Sequence, residues 1–136
     1  MDGRTPFDGV FTDLPVLITG HTGFKGSWLS IWLNELGAKV IGYSCEPEAS
    51  PSLFSLCELD DRVTHIVGDI RDVDRLSWSV ETHQPQLVIH LAAQPLVKVS
   101  YQDPKLTFDT NIGGTVNVLE ALRRTESVDA FLGVYY

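Results

Sequence analysis

The chain has 136 residues, of which 43% are apolar, and carries a formal net charge of −8. This length and apolar content allow one buried core, so we expect a single domain. The negative charge repels phosphate backbones and disfavours general nucleic-acid binding. Cys45 and Cys57 form no CxxC pair and no zinc-site spacing, so neither disulfides nor a metal site is expected. The sequence has no signal peptide and no run of about eighteen apolar residues, which predicts a cytoplasmic protein without membrane association.

The first half of the chain predicts two strands joined by a helix. Residues 1–14 are expected to form an amino-terminal tail. The apolar run Pro15–Thr19 predicts a parallel strand buried on both faces. A helix is predicted over 24–36, ending before Gly37, because large apolar residues recur every four positions at Phe24, Trp28, Trp32 and Leu36. A second strand is predicted over 39–43, followed by a loop over 46–52 and a short turn over 53–56.

The second half repeats the alternation of strand and helix. Strands are predicted over 63–67, 87–91 and 128–136. Asp72 is the expected N-cap of a helix that ends at Gln84, and Asp103 is that of a helix running to about Arg124. The apolar face of this last helix consists of Phe108, Ile112, Val116, Leu119 and Leu122. The order predicts an α/β fold over residues 15–136, a doubly wound parallel sheet of Rossmann type that is incomplete on its carboxy-terminal side.

A glycine-rich motif links the first strand to the first helix. Gly20, Gly23 and Gly26 have the spacing G-x-x-G-x-x-G, which provides a tight turn, a close approach of backbone to a pyrophosphate and a close helix–sheet contact. The N–H groups of the helix N-terminus would hold the phosphates. Lys25 could add charge there, although a lysine in a first helical turn is more often solvated. A glycine-rich turn without a ligand is the alternative reading.

Further candidate ligands follow the later strands. Ser44 stands where a Rossmann site normally has a carboxylate for the adenosine ribose, so NAD and NADP both stay open. Glu46 lies nearby but is expected to be too far along the loop. Asp69 could accept a hydrogen bond from adenine, whereas Asp72 suits helix capping. His90 is expected to be a structural histidine with its hydrogen bonds satisfied, rather than a catalytic residue.

Five segments together resemble the CDP-glucose 4,6-dehydratase family of extended short-chain dehydrogenases. They are TGHTGFKGSW from Thr19, PSLF from Pro51, GDIRD from Gly68, HLAAQPLV from His90 and TNIGGT from Thr110. The resemblance implies a tightly held NAD and a nucleotide-sugar substrate, CDP-glucose, in the full-length enzyme. Asn111 would tie neighbouring backbone segments together. The candidate cofactor-binding residues are Gly20, Thr22, Gly23, Phe24, Lys25, Gly26, Ser44, Asp69, Ile70, Leu91, Ala92, Ala93, Gln94 and Thr110.

The catalytic part of the family pattern is missing from this sequence. The resemblance implies a Thr-Ser-Asp-Lys segment after the fifth strand and a later Tyr-x-x-x-Lys pair, but Tyr135 and Tyr136 stand where the first should begin. Tyr101 and Lys105 have the spacing of the pair, which we attribute to chance because Pro104 interrupts it. We therefore expect a truncated dehydratase that is inactive alone and could form a homodimer. A non-catalytic NAD(P)-binding module or sensor, and another epimerase or reductase of the superfamily, are the alternatives.

Overall fold

The computed structural model describes residues 5–135, so the predicted tail residues 1–4 and Tyr136 lie outside the described part. The strands are β1 (Pro15–Thr19), β2 (Lys39–Ser44), β3 (Thr64–Val67), β4 (Leu87–His90) and β5 (Ala130–Gly133). The helices are α1 (Phe24–Glu35), α2 (Leu53–Leu56), α3 (Val73–His83), α4 (Val97–Gln102), α5 (Pro104–Phe108) and α6 (Gly114–Arg123). A π-helical turn, Asp109–Gly113, joins α5 to α6.

The five strands form one parallel sheet in the order β3-β2-β1-β4-β5. Alternate residues of β1, β2 and β4 enter two separate apolar clusters, which explains the unbroken apolar runs in the sequence. On one face, Leu17 and Val88 pack with α3 and α6 residues such as Val80 and Val118. On the other face, Val16 and Ile18 pack with Leu33 of α1. Helices therefore cover both faces, and the predicted doubly wound Rossmann architecture is confirmed.

Helix starts follow the predicted capping residues. The Asp72 carboxylate accepts a hydrogen bond from the Arg75 N–H (3.0 Å), and the Asp103 carboxylate accepts one from the Leu106 N–H (2.9 Å). Each bond satisfies a backbone donor that a helix N-terminus leaves free. Gln84 ends α3 in a left-handed conformation. These caps determine where α3 and α5 begin and so which residues precede them at the edge of the sheet.

The apolar faces predicted for two helices are only partly buried. Leu36 and Leu122 pack against the core clusters, in agreement with the prediction. Phe24, Trp28 and Trp32 are exposed, and α1 buries Gly26, Ser27, Ser30 and Leu33. Small side chains let the helix approach the sheet closely, and the bulky ones are left outside. Along α5, the π-helical turn and α6, Phe108, Ile112, Val116 and Leu119 are exposed, while Gly114, Val118 and Ala121 are buried.

Two segments differ from a simple strand–helix alternation. Within residues 5–14, Phe11 and Leu14 pack against the α1-side cluster, and the Asp13 N–H donates to the Gly37 carbonyl (2.8 Å). The Leu14 carbonyl accepts from Lys39 N–H (2.8 Å) beside β2. Helix α4 was not predicted, because VKVSYQ contains two β-branched residues and has no capping side chain.

Candidate functional site: a groove at the carboxyl edge of the sheet

The candidate site is a groove of about 760 Å³ at the carboxyl ends of the strands. The strand order reverses between β1 and β4, which is where an open α/β sheet forms its ligand crevice. Every one of the fourteen candidate residues lines this groove: Gly20, Thr22, Gly23, Phe24, Lys25, Gly26, Ser44, Asp69, Ile70, Leu91, Ala92, Ala93, Gln94 and Thr110. The fold thus brings together residues from five separate sequence segments.

Two of the motif glycines are required by packing within the protein. Gly20 has φ +79°, and a Cβ there would lie 2.8 Å from the Ala92 nitrogen. A Cβ on Gly26 would lie only 2.1 Å from the Gly20 carbonyl oxygen. No side chain fits at either position, so these glycines allow the chain after β4 and the helix α1 to close on the turn.

Gly23 has a different environment from its two neighbours in the motif. A Cβ there would meet only the Gly20 carbonyl oxygen, at 3.4 Å, which is an ordinary contact. Gly23 is also the N-cap of the 12-residue helix α1, and no side chain caps that end. The groove therefore contains an uncapped helix N-terminus with space above it, which is the donor arrangement that a diphosphate requires. These residues fit a dinucleotide.

Ser44 and Thr22 form a hydrogen-bonded pair beside the groove. The two hydroxyl oxygens are 2.9 Å apart, and the Thr22 hydroxyl also donates to the Cys45 carbonyl (3.0 Å). Because that bond uses the only hydroxyl proton of Thr22, Ser44 must be the donor in the pair. Ser44 is left with free lone pairs and no free proton, so toward a ligand it can act only as an acceptor.

The Asp69 carboxylate is engaged by Arg71. The Arg71 guanidinium bonds both carboxylate oxygens, with Nη2 2.6 Å from Oδ2, and the Arg71 N–H donates to Oδ1 (2.8 Å). The hydrogen bond from the Arg71 guanidinium lowers the pKa of Asp69. The Tyr43 hydroxyl donates to the Asp69 carbonyl (2.8 Å) and holds the backbone of this corner. Asp69 can contact a ligand only through lone pairs that Arg71 leaves free.

Asn111 joins the chain after β4 to the π-helical turn. Its Oδ1 accepts from the Gln94 N–H (2.7 Å), and its Nδ2 donates to the Gln94 carbonyl (3.1 Å). The Gln94 side chain in turn donates to the Thr107 hydroxyl (2.9 Å). Asn111 therefore bridges two backbone segments, which agrees with the role implied by the family resemblance.

His21, the second residue of the glycine motif, is fully buried. Its Nε2 lies 2.7 Å from Nδ1 of His65 on β3, and its ring meets Phe54 edge-on. Burial and the nearby His65 lower the pKa of His21 to about 3. The imidazole is consequently neutral at physiological pH and fastens the glycine turn to the edge of the sheet.

Three charged residues that were not among the candidates line the groove. Glu46, which the sequence predicts to be too far along the loop to contact a ribose, lines it together with Glu48. The loop after β2 turns back toward the glycine motif, and the hydrogen bond from Thr22 to the Cys45 carbonyl holds it there. Arg71 also lines the groove, and the GDIRD segment that contains it was the signal for it.

The apparent Tyr-x-x-x-Lys match has no counterpart in the site. Tyr101 lies on α4 and is 85% exposed. Lys105 lies on α5 and is paired with Asp109 of the π-helical turn. Neither Tyr101 nor Lys105 lines the groove. Among residues 5–135, no group of three or more His, Cys, Asp or Glu side chains could hold a metal ion. Within the same range, no helix is sufficiently long and apolar to cross a membrane.

Comparison with known proteins gives one consistent group. The family model for GDP-mannose 4,6 dehydratase matches residues 17–132. A CDP-glucose 4,6-dehydratase of Salmonella typhimurium is 46% identical over 88% of this chain and 33% of its own length. A Brucella ovis UDP-glucose 4-epimerase solved in complex with NAD is 30% identical, with a TM-score of 0.71 over 87% of this chain and 35% of its own. A Thermotoga maritima UDP-glucose 4-epimerase with UDP-glucose is 29% identical, with a TM-score of 0.76 over 88% of this chain and 37% of its own.

The matched region coincides with the part of the chain that builds the groove. The chain spans about a third of the length of the relatives it matches. The matching family model, the identity to a dehydratase and the shared parallel sheet agree with one another. The chain belongs to the sugar-nucleotide dehydratase and epimerase family described by the GDP-mannose 4,6 dehydratase model, and it has that family's Rossmann fold.

Proposed function

We propose that this chain is the NAD-binding portion of a sugar-nucleotide 4,6-dehydratase. The observation that carries the proposal is the convergence of fourteen candidate residues on one groove beside an uncapped helix N-terminus. Gly23 and the first N–H groups of α1 would hold the diphosphate. The small Ala92 and Ala93 side chains would let the second half of the dinucleotide lie close to the chain after β4.

The groove favours NAD over NADP. Ser44 can only accept hydrogen bonds toward a ligand, which suits a ribose hydroxyl donor and not a 2′-phosphate. Glu46 and Glu48 line the same groove and would repel a 2′-phosphate. Ser44 can therefore take the place of the carboxylate of other Rossmann sites. Its only proton is donated to Thr22, so, like a carboxylate, it accepts a hydrogen bond from the ribose.

Calorimetric titration of the purified chain with NAD and with NADP tests this function. We expect saturable binding of NAD, and binding of NADP weaker by about tenfold or more, equivalent to about 1.4 kcal/mol. Absence of NAD binding by the folded chain would refute the proposal. Equal affinities would refute only the preference for NAD. Binding with an effect on a second protein would favour the sensor alternative.

The reaction proposed for the complete enzyme converts CDP-glucose to CDP-4-keto-6-deoxyglucose, a lyase step of deoxysugar synthesis. Its support is the 46% identity to the Salmonella CDP-glucose 4,6-dehydratase. Bound NAD supplies the acceptor for the hydride from C4 of the glucosyl group and the donor for its return to C6. The residues of this chain bind and orient the dinucleotide, and we assign none of them as a catalytic base. Incubation of the purified chain with NAD and CDP-glucose should therefore yield no 4-keto product.

We also propose that the chain forms a homodimer through the outer face of α5 and α6. Phe108, Ile112, Val116 and Leu119 are each about half exposed or more and form one stripe. A second copy related by a two-fold axis presents the same stripe, so each copy would cover the apolar side chains of the other.

Sedimentation analysis measures this association. Val116→Lys should shift the protein to monomer, whereas Val97→Lys, a change at an exposed position of α4, should leave the dimer intact. A wild-type monomer at high concentration would contradict the dimer. We place the protein in the cytoplasm, where its two free cysteines, Cys45 and Cys57, would stay reduced.

A further inference from the structure

His90 lies at the centre of a buried polar network under the groove. The side chain is 2% exposed at the end of β4, and its ring stacks on Phe131 of β5 (centroids 6.4 Å apart, interplanar angle 28°). Its Nδ1 is 2.6 Å from the Thr19 hydroxyl on β1, and its Nε2 is 3.0 Å from the Thr115 hydroxyl on α6. Both ring nitrogens thus have hydroxyl partners, one on β1 and one on α6.

The hydrogen-bond partners determine which nitrogen carries the proton. The Thr115 hydroxyl donates to the Asn111 carbonyl (2.7 Å), so it can only accept from His90. The Thr19 oxygen accepts from the N–H groups of Leu91 and Ala92, both at 3.2 Å, which leaves its proton for Nδ1 of His90. The network is complete only for the neutral imidazole with its proton on Nε2. Burial lowers the pKa of His90 and favours that neutral form.

The network holds both ends of one groove-lining segment, the chain that follows β4. Toward β1, the Thr19 oxygen accepts from the Ala92 N–H, and Ala92 lies against Gly20, where there is no room for a Cβ. Toward α6, Thr115 is bonded to Asn111, whose side chain holds Gln94. Both Ala92 and Gln94 line the groove. A change in the His90 hydrogen bonds would therefore reach both ends of this segment.

We propose that His90 is a positioning residue that, as the neutral Nε2–H tautomer, joins Thr19 of β1 to Thr115 of α6 and so fixes the groove-lining segment from Ala92 to Gln94. The proposal rests on the proposed NAD-binding function for the identity of the ligand. Its content is that both ends of this segment are preorganised together, so loss of one His90 partner weakens ligand binding more than loss of a comparable hydrogen bond elsewhere.

The first measurement is the tautomer of His90 in the wild-type chain. Long-range ¹H–¹⁵N spectra distinguish a protonated from an unprotonated ring nitrogen, and His90→Gln identifies the signal. We expect Nδ1 without a proton and Nε2 with one at neutral pH. The opposite tautomer, or rapid exchange between the two, would overturn the proposal. This measurement requires neither NAD nor a variant of Thr115.

The second measurement compares NAD affinity among threonine variants. Thr115→Val removes the acceptor of the His90 Nε2–H, and Thr115→Ser keeps it. Thr125→Val is the matched control, because the Thr125 hydroxyl makes the same type of bond to the carbonyl four residues earlier but has no histidine partner. We expect the Kd for NAD to rise about tenfold in Thr115→Val and to change less than about threefold in the other two.

The outcomes separate the two proposals. If the wild-type chain binds NAD and Thr115→Val binds it as tightly as Thr115→Ser, the positioning role is wrong and the proposed function stands. If the folded wild-type chain binds no NAD, both fall. If Thr115→Val does not fold, Thr115→Ala replaces it, and affinity equal to that of Thr115→Ser overturns the positioning role.

Discussion

The imidazole of His21 occupies the space that any side chain at Gly42 would need. A Cβ built on Gly42 would lie 2.1 Å from Cδ2 of His21, so β2 can pass beside the glycine turn only with glycine at this position. We expect Gly42→Ala to lower the free energy of unfolding by about 1–3 kcal/mol, the usual cost of overpacking a core. Urea denaturation measures the change.

The controls for this contact are available in the same chain. Gly113 has nothing within 4 Å of its Cβ position and is helical, so Gly113→Ala should be neutral or slightly stabilising. In a His21→Ala background, Gly42→Ala should cost less than it does alone, because the ring it meets is gone. An equal cost in both backgrounds would show that His21 is not the obstacle.

Gly23→Ala and Gly26→Ala should separate ligand binding from folding. The Gly23 Cβ would meet no close protein atom, so the variant should lose only about 1 kcal/mol of stability, the cost of Ala at an N-cap, but bind NAD at least about tenfold more weakly. The Gly26 Cβ would collide with the Gly20 carbonyl, so that variant should be unstable. Undiminished NAD binding by Gly23→Ala would show that no phosphate approaches this position.

Stability should fall as the pH is lowered below neutrality. The unfolded pKa of histidine is about 6.5, whereas that of folded His21 is about 3, and burial also lowers the pKa of His90. Below about pH 6.5 the unfolded state therefore binds more protons, and each buried histidine costs about 1.4 kcal/mol per pH unit until its folded pKa is reached. This stability is present above the unfolded pKa and is lost on acidification.

Urea unfolding between about pH 7 and about pH 5 measures the histidine contribution to the pH dependence of stability, because carboxylates titrate at lower pH. His21→Gln should reduce the slope by up to about 1.4 kcal/mol per pH unit relative to wild type, a limit approached below about pH 6. An unchanged slope would mean that His21 takes up its proton over the same pH range in the folded and the unfolded chain.

The two glutamates of the groove should control discrimination against NADP. The double variant Glu46→Gln/Glu48→Gln removes two negative charges that line the groove and should strengthen NADP binding severalfold, while NAD binding changes little. The gain should shrink at high salt, because salt screens exposed charges. Glu81→Gln, on α3 and outside the groove lining, is the control. If the double variant gains no affinity for NADP, the 2′-phosphate does not lie near Glu46 and Glu48.

The site could be predicted from the sequence because its residues depend on local chain geometry. Gly20 and Gly26 are required by a turn whose sequence neighbours form β1 and α1. The other candidates lie on that turn, in the first turn of α1 or at or just after the end of a parallel strand, except Thr110 of the π-helical turn. Parallel strands bring their carboxyl ends to one edge of the sheet, so position in the sequence is enough to place such residues together.

The orientation of the helices could not be predicted in the same way. Apolar periodicity identified α1, but it could not show that Ser27 and Ser30, rather than Trp28 and Trp32, face the sheet. That choice depends on the distance between helix and sheet, which Gly26 reduces. The position of Glu46 in the groove lining could not be predicted for a related reason: the path of a loop depends on contacts such as Thr22 with the Cys45 carbonyl, which have no periodic signal.

The residues that line the groove extend along the chain from Gly20 to Val134. A single bound molecule would therefore act as a reversible cross-link between the first strand and the last. Binding to the folded state alone adds RT ln(1 + [L]/Kd) to stability, about 2.7 kcal/mol when the ligand is at one hundred times its Kd. The lifetime of the folded chain in a cell would then follow the local ligand concentration, and a proteolysis assay would register occupancy as directly as a binding assay.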